Sequence, residues 1–409
     1  MAKFSPIRRI LKTIVLRPLQ ALTALLMAKV GSHILAFDTG QGKTVTTIAA
    51  LLLRRREGKA NKILWVAPLL VVTKTDRQVR KETDFTTQHL QGSAEKIERF
   101  SRKDFTTADI TFINLEAFDN KEVLEFVREL SLQNFWDTVV IDEAHNIADP
   151  FFSNRNAFVY FTAYKIPSVF VLTATPVISK ILQYAALVAL VRKQFEHLTS
   201  IRTAIHAGEF VPEKEPDLIT VARRKDKVPS HIITVEVEES QGSATGVTIF
   251  KRTRGKHAHQ VNEQLINIIK QEGHQQVLVH CFLTENHTFL QKLLQDTFGV
   301  EVAIISGKTR NRQQIIDRYN EGEIPIVIYN LAESLDLFAN YTIMYDWTVY
   351  ASQAMGRGLR TEEVGDYKVF FITTSDPKEQ SLFENSVIKH NELMMKAIAI
   401  QPIHFQSQS

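Results

Sequence analysis

Gly40, Gln41, Gly42, Lys43 and Thr44 make a short run whose residue types suit one task, holding a chain of phosphates. The run lies between the apolar stretch His33–Phe37 and the helix-patterned TVTTIAALLLRRR, so strand, loop and helix N-terminus follow one another directly. Glycines let backbone N–H groups close around the phosphates, and the helix N-terminus adds a dipole that favours an anion. Lys43 would then pair with the β- and γ-phosphates of ATP, and Thr44 would set its hydroxyl on Mg2+. Phe37 stands where such a loop usually opens on a small residue.

About one hundred residues on, VVIDEAH puts two carboxylates at the end of an apolar run. At the carboxyl edge of an open α/β sheet, Asp142 would hold Mg2+ and Glu143 would orient and deprotonate an attacking water. The plainer alternative is an Asp-Glu pair capping the following helix. In QAMGRGLR, residues 353–360, Arg357 and Arg360 are three apart and share one helical face around Gly356. A planar guanidinium fork matches phosphate oxygens, so this pair could neutralise charge on the γ-phosphate; a solvated basic face is the alternative.

These groups need elements to carry them. Apolar runs start at Ile63 (ILWVAPLLVV), Asp109 (DITFINL), Trp136 (WDTVVIDEAH) and Ser168 (SVFVLTATPV). A helical stretch at 119–133 places Leu124, Phe126, Val127 and Leu130 on one face. After Pro176 the pattern is helical to about residue 206, and GEFVPEKEPD reads as a loop. A second series follows: HIITVEVEE, QQVLVHCFL, EVAIISG, IPIVIYNL, YTIMYDW and YKVFFITT. Buried strands alternating with helices imply parallel, doubly wound sheets. The expected organisation is a first α/β lobe at 1–206, a connector at 207–230, a second lobe at 231–376, and a closing helix with a disordered tail at 377–409.

Bulk properties narrow the class. The chain has 409 residues, enough for two or three domains, and its 44% apolar and 23% charged content is that of an ordinary globular protein. No segment has the apolar length of a membrane span. The single cysteine, Cys281, excludes an internal disulfide and a thiolate-clustered zinc site, which makes a reducing intracellular location the default. Net charge is only +4, yet no Asp or Glu precedes Asp38 while Lys3, Arg8, Arg9, Lys12, Arg17 and Lys29 do. Such a start reads either as an organelle transit peptide or as a basic lead-in helix. His257 and His259, in the basic stretch KRTRGKHAH, read as a solvated loop rather than metal ligands; Lys251, Arg252, Arg254 and Lys256 there could touch phosphates. Trp65, Trp136 and Trp347 sit in apolar strand contexts and read as core.

The ordered set GQGKT, DEAH, TATP and QxxGRxxR resembles motifs I, II, III and VI of superfamily 2 helicases, and further stretches resemble the Swi/Snf-type branch and its viral nucleoside triphosphatase relatives. LRPLQ at 16–20 looks like the upstream glutamine motif, VAPLLVVTK at 66–74 and FINLE at 112–116 like motifs Ia and Ib. VPSHIITVEVEES resembles the lead-in to that branch's second lobe, while VLVHCF, ISGKTRNRQQIIDRYN and NLAESLDL resemble motif IV, its following helix and motif V. The resemblance spans about residues 14–375 and implies two tandem RecA-like lobes with ATP in the cleft between them. It further implies that Gln20 contacts adenine and that His145 and Gln353 meet each other or the nucleotide. Thr173 and Thr175 would couple hydrolysis to lobe movement, and Pro68, Asn114, Asn330 and Ser334, with Asp336, would lie along a nucleic-acid backbone; Ser334 replaces a common glycine. The implied function is an ATP-dependent helicase or translocase on DNA or RNA, with little sequence specificity. Rival readings are another phosphate-loop enzyme such as a kinase or GTPase, a nucleic-acid-binding protein with a degraded ATPase, and an ATPase that displaces a protein partner. A chromatin-remodelling role has little support, since only about one hundred residues separate TATP from VLVHCF.

Overall fold

A computed structural model of the chain describes residues 5–90, 105, 107–176, 181–194, 198–207, 218–222, 230–237, 257–330, 335, 337–346 and 367–385. They form two compact units, the first drawn from the chain up to Arg223 and the second from Arg224–Leu393. Among the described residues no helix is long and apolar enough to cross a membrane.

The described residues of the first unit form seven strands: β1 (His33–Phe37), β2 (Ile63–Ala67), β3 (Thr87–Leu90), β4 (Ile110–Asn114), β5 (Thr138–Ile141), β6 (Ser168–Leu172) and β7 (Ile219–Ala222). They pair in the order β3-β4-β2-β5-β6-β1-β7, every pair parallel. Five of them, β1, β2, β4, β5 and β6, are buried along their whole length, which is why they read as unbroken apolar runs. Around the sheet run α1 (Ser5–Arg8), α2 (Pro18–Val30), α3 (Lys43–Arg56), α4 (Leu69–Glu82), α5 (Lys121–Leu132), α6 (Asn154–Lys165), α7 (Ile181–Val191) and α8 (Leu198–His206). Arg54 of α3 is buried, and its guanidinium donates to the Ala28 carbonyl of α2 at 3.1 Å and to Ser168 Oγ of β6 at 2.6 Å. One side chain thus fastens two helices to the sheet.

The second unit holds β8 (Ser230–Val235), β9 (Val277–His280), β10 (Val302–Ile305), β11 (Ile326–Tyr329), β12 (Tyr341–Met344) and β13 (Lys368–Thr374). The order is β10-β11-β9-β12-β13-β8, again all parallel. Its helices are α9 (Ala258–Glu272), α10 (His287–Phe298), α11 (Arg312–Asn320) and α12 (Pro377–Phe383). Asp376 starts α12 by accepting the Lys378 N–H at 2.9 Å, with Pro377 at the first helical position.

Four details depart from the expected pattern. LLVV, read as a continuation of a strand, is the start of α4: Pro68 ends β2 and its carbonyl accepts the Val72 N–H at 3.0 Å. Residues 219–222, inside the expected connector, form β7 and add to β1 through the register Ile34↔Ile219. Polar TQHL, outside every apolar run, is edge strand β3, paired to β4. His259 lies on α9 rather than in a loop, 3.8 Å from Glu263. Trp65 and Trp136 are core residues as expected; Trp347, Lys251, Arg252, Arg254, Lys256 and the C-terminal tail lie outside the described residues.

Candidate nucleotide site

Because all strands of the first unit are parallel, their carboxyl ends share one edge. Registers Leu35↔Leu172 and Val171↔Ile141 bring the loop after β1, the TATP segment after β6 and the DEAH segment after β5 side by side along it. That edge is where an open α/β sheet keeps its ligand chemistry.

The loop after β1 takes the conformation its glycines permit. Gly40 and Gly42 have φ of 80° and 83°, and Gly42 directly precedes α3. A Cβ on Gly42 would meet the Gln20 side-chain nitrogen and force it to shift, and the left-handed φ is what favours glycine there. Phe37 is buried in the core, and only its carbonyl faces the loop, where it accepts from Lys43 Nζ at 3.0 Å. Thr44 occupies the first turn of α3 beside Lys43.

Gln20 reaches the same loop from α2. Its Oε1 accepts the Arg17 N–H at 2.9 Å and its Nε2 donates to the Gln41 carbonyl at 3.1 Å. Arg17 Nη2 donates to that carbonyl at 2.6 Å, and partial burial lowers the Arg17 pKa. Nothing in the local sequence of Arg17 marks it for this position beyond its place in LRPLQ.

After β5 the Asp142 N–H still donates to the Val66 carbonyl at 2.8 Å, which holds the carboxylate at the strand's end. Asp142 is 3% exposed; its Oδ1 accepts the Glu143 N–H at 2.9 Å while Oδ2 has no hydrogen-bond partner. Burial and the neighbouring Glu143 charge push its pKa up to about 7, with the Lys43 charge acting the other way. Glu143 has φ 49° and ψ 48°, a left-handed backbone that non-glycine residues adopt at some cost. The turn aims its carboxylate at His145, whose Nδ1 lies 3.5 Å from Glu143 Oε2. Thr173 is fully buried; its N–H donates to the Leu35 carbonyl of β1 at 3.1 Å, and its hydroxyl accepts the Thr175 N–H at 3.0 Å. TATP is thereby bonded to the strand that leads into the Lys43 loop.

These residues fit a nucleotide with its cation. A buried carboxylate with an unpartnered oxygen and a proton-holding tendency is short of positive charge, and a divalent ion would supply it. The left-handed glycines ahead of α3 fit phosphate oxygens.

Further along the edge, Pro68 caps α4 and Asn114 ends β4, adjacent to one another through the register Ala67↔Asn114. Asn114 Nδ2 donates to Glu116 at 2.8 Å, leaving its buried Oδ1 without a partner. In the second unit Asn330 follows β11 and its N–H meets the Ile305 carbonyl at 3.4 Å. Gln353, Arg357, Arg360, Ser334 and Asp336 lie outside the described residues.

Two α/β units, each a parallel sheet with helices around it, are the architecture of tandem RecA-like lobes, and the first carries a glycine loop and an acidic strand end on one edge. Residues 8–178 match the family model "Type III restriction enzyme, res subunit", and residues 260–362 match "Helicase conserved C-terminal domain". With one match in each unit, the two family models support a superfamily 2 helicase-type ATPase. No curated protein sequence matches it. Among solved structures it aligns with the Sulfolobus solfataricus SWI2/SNF2 ATPase core in complex with dsDNA, at 18% identity and TM-score 0.43, over 95% of this chain and 93% of that one.

Proposed function

We propose that the chain is an ATP-driven helicase or translocase that moves along or remodels DNA or RNA. The observation that carries this reading is a single sheet edge bearing both the nucleotide groups (the Lys43 loop, Asp142, Glu143 and Thr173) and the polymer candidates Pro68 and Asn114. Chemistry and track would then meet on one rigid sheet, so a change at the phosphates reaches the polymer grip through strand ends only.

In this reading Gly40, Gln41, Gly42 and Lys43 hold the phosphates of ATP, Gln20 orients the base, and Thr44 and Asp142 hold Mg2+. The cation, when bound, neutralises phosphate charge and fixes the phosphate oxygens. Glu143 takes the proton from the attacking water; its left-handed turn fixes the carboxylate's direction, and His145 steadies it. Thr173 and Thr175 couple the loop to β6. Arg357, Arg360 and Gln353 are the proposed contributors from the second unit, acting on the γ-phosphate as its charge grows. Asn114, Pro68, Asn330 and Ser334 would grip phosphates without reading bases, which gives little sequence preference. No accessory membrane role is part of the reading.

The test is ATP turnover with single- and double-stranded DNA and RNA, run beside Lys43→Ala. Stimulation by one polymer, lost in the variant, is the expected result. Turnover indifferent to every polymer would remove the motor reading and leave a plain nucleotidase or an ATPase acting on protein partners.

A further inference from the structure

Phe152 is the most exposed large apolar side chain of the described residues, at 81%, and Phe151 beside it is 49% exposed. Neither sits on a loose loop. The Phe151 N–H donates to Asp149 Oδ1 at 3.0 Å, the Phe152 N–H to the Asp149 carbonyl at 3.2 Å, and Asn156 Nδ2 to that same carbonyl at 2.9 Å. Ser153 Oγ accepts the Asn156 N–H at 3.2 Å and starts α6. A tight, capped turn therefore holds an aromatic pair out in water, where burial of each ring would be favourable.

The turn's position says what should cover it. It follows the DEAH segment at the carboxyl end of β5, and α6 ties it to the segment after β4: Arg155 pairs with Asp119 at 3.1 Å, and Phe158 packs on Phe118 at 5.6 Å. Asp119 and Phe118 belong to the short helix that begins just after Asn114. The helix that this turn starts therefore packs on the segment directly after Asn114, one of the candidate polymer residues. Arg202 of α8 sets its guanidinium 5.4 Å from the Phe151 ring centroid, adding a cation suited to phosphate at the same spot. Flat apolar rings beside a guanidinium are the ingredients of a base-stacking platform.

We propose that Phe152, supported by Phe151 and Arg202, stacks on an unpaired base of single-stranded nucleic acid. This rests on the nucleic-acid reading above and narrows it: bases inside an intact duplex present no free face, so the polymer at this point is single stranded. A phenyl ring offers no hydrogen bond, so any base serves.

The experiment measures the oligonucleotide concentration giving half-maximal ATPase stimulation for wild type, Phe152→Ala and Phe152→Trp. Each is assayed with a single-stranded oligomer and with the same oligomer carrying an abasic tract. Phe152→Ala should raise that concentration roughly 5- to 100-fold on the normal oligomer. On the abasic one it should match wild type, with an unchanged thermal midpoint as the folding control. Phe152→Trp should restore the value, and its fluorescence should be quenched by oligomer. Equal values for wild type and Phe152→Ala on the normal oligomer, with an unquenched tryptophan, would overturn the stacking assignment while leaving the motor reading intact. A wild type that neither binds nor responds to any oligomer would overturn both.

Discussion

Glu143 carries two costs at once, a left-handed backbone and a carboxylate beside buried Asp142. Folding alone gives no reason to keep either, whereas a water-activating base needs both a fixed direction and a nearby cation site. Glu143→Gln keeps the size and the turn but cannot accept a proton. It should bind ATP as wild type does and lose turnover by about 10²- to 10⁴-fold, read as kcat against nucleotide affinity. Retained turnover would transfer the base role to another group. Gly42 supplies a companion prediction at the same scale. Gly42→Ala places a methyl group against Gln20 in a backbone region that alanine avoids, so nucleotide affinity should fall by at least tenfold, an effect of about 1.4 kcal/mol or more. Equilibrium binding of a fluorescent ATP analogue reads this directly, and unchanged affinity would mean the loop can reshape.

Elements bring these residues together, and one tie is out of proportion to its size. Glu82, the last residue of α4, accepts hydrogen bonds from the Thr13 N–H at 2.9 Å, the Ile14 N–H at 3.1 Å and the Thr13 hydroxyl. Burial raises its pKa, but these hydrogen bonds outweigh burial and leave it lowered. The carboxylate anchors the lead-in that carries Arg17 and Gln20 to the Gln41 carbonyl. Glu82→Ala should destabilise the first unit by about 3 kcal/mol in denaturant unfolding and weaken nucleotide binding, with Glu82→Gln milder on both. A stability loss with no change in nucleotide binding would separate the lead-in from the site. None of this was visible in the sequence, because a Glu at a helix end looks solvated until the partner seventy residues upstream is known. The buried strands were legible for the opposite reason: a two-sided strand must be apolar throughout, and β1, β2, β4, β5 and β6 are. Edge strand β3 and inserted strand β7 escaped notice, one because an edge tolerates TQHL, the other because charges and prolines around ITVA hid its four apolar or β-branched residues. The glycine loop and the acidic strand end were plain from residue type and order, while Arg17 and the Phe152 turn depend on tertiary placement that no local pattern carries.

At the scale of the molecule, Asp142 in the first unit and His280 in the second should answer acid in opposite senses. In the first, Asp142 holds its proton more tightly folded than unfolded, so its contribution grows as pH falls through about 7 and is lost as pH rises. In the second, His280 is buried with neither ring nitrogen hydrogen-bonded, packed edge-on to Tyr329, and burial lowers its pKa to about 4 although Asp346 pulls the other way. His287 shifts in the same direction for the same first cause. Above pH ~6.5 folded and unfolded His280 are both neutral and nothing is lost. Between about 6.5 and 4 the unfolded chain takes up a proton that the folded one refuses, and stability falls; below about 4 the penalty is complete, on the order of 3 kcal/mol. His280→Phe keeps an aromatic ring against Tyr329 and removes that proton. Comparing denaturant unfolding at pH 7.5 and pH 5, wild type should lose about 2 kcal/mol more than His280→Phe, because the Asp142 contribution is common to both chains and cancels in the difference. Parallel pH profiles for the two proteins would show that His280 is protonated or solvated in the folded state, and the buried face of β9 would then have to be open to water.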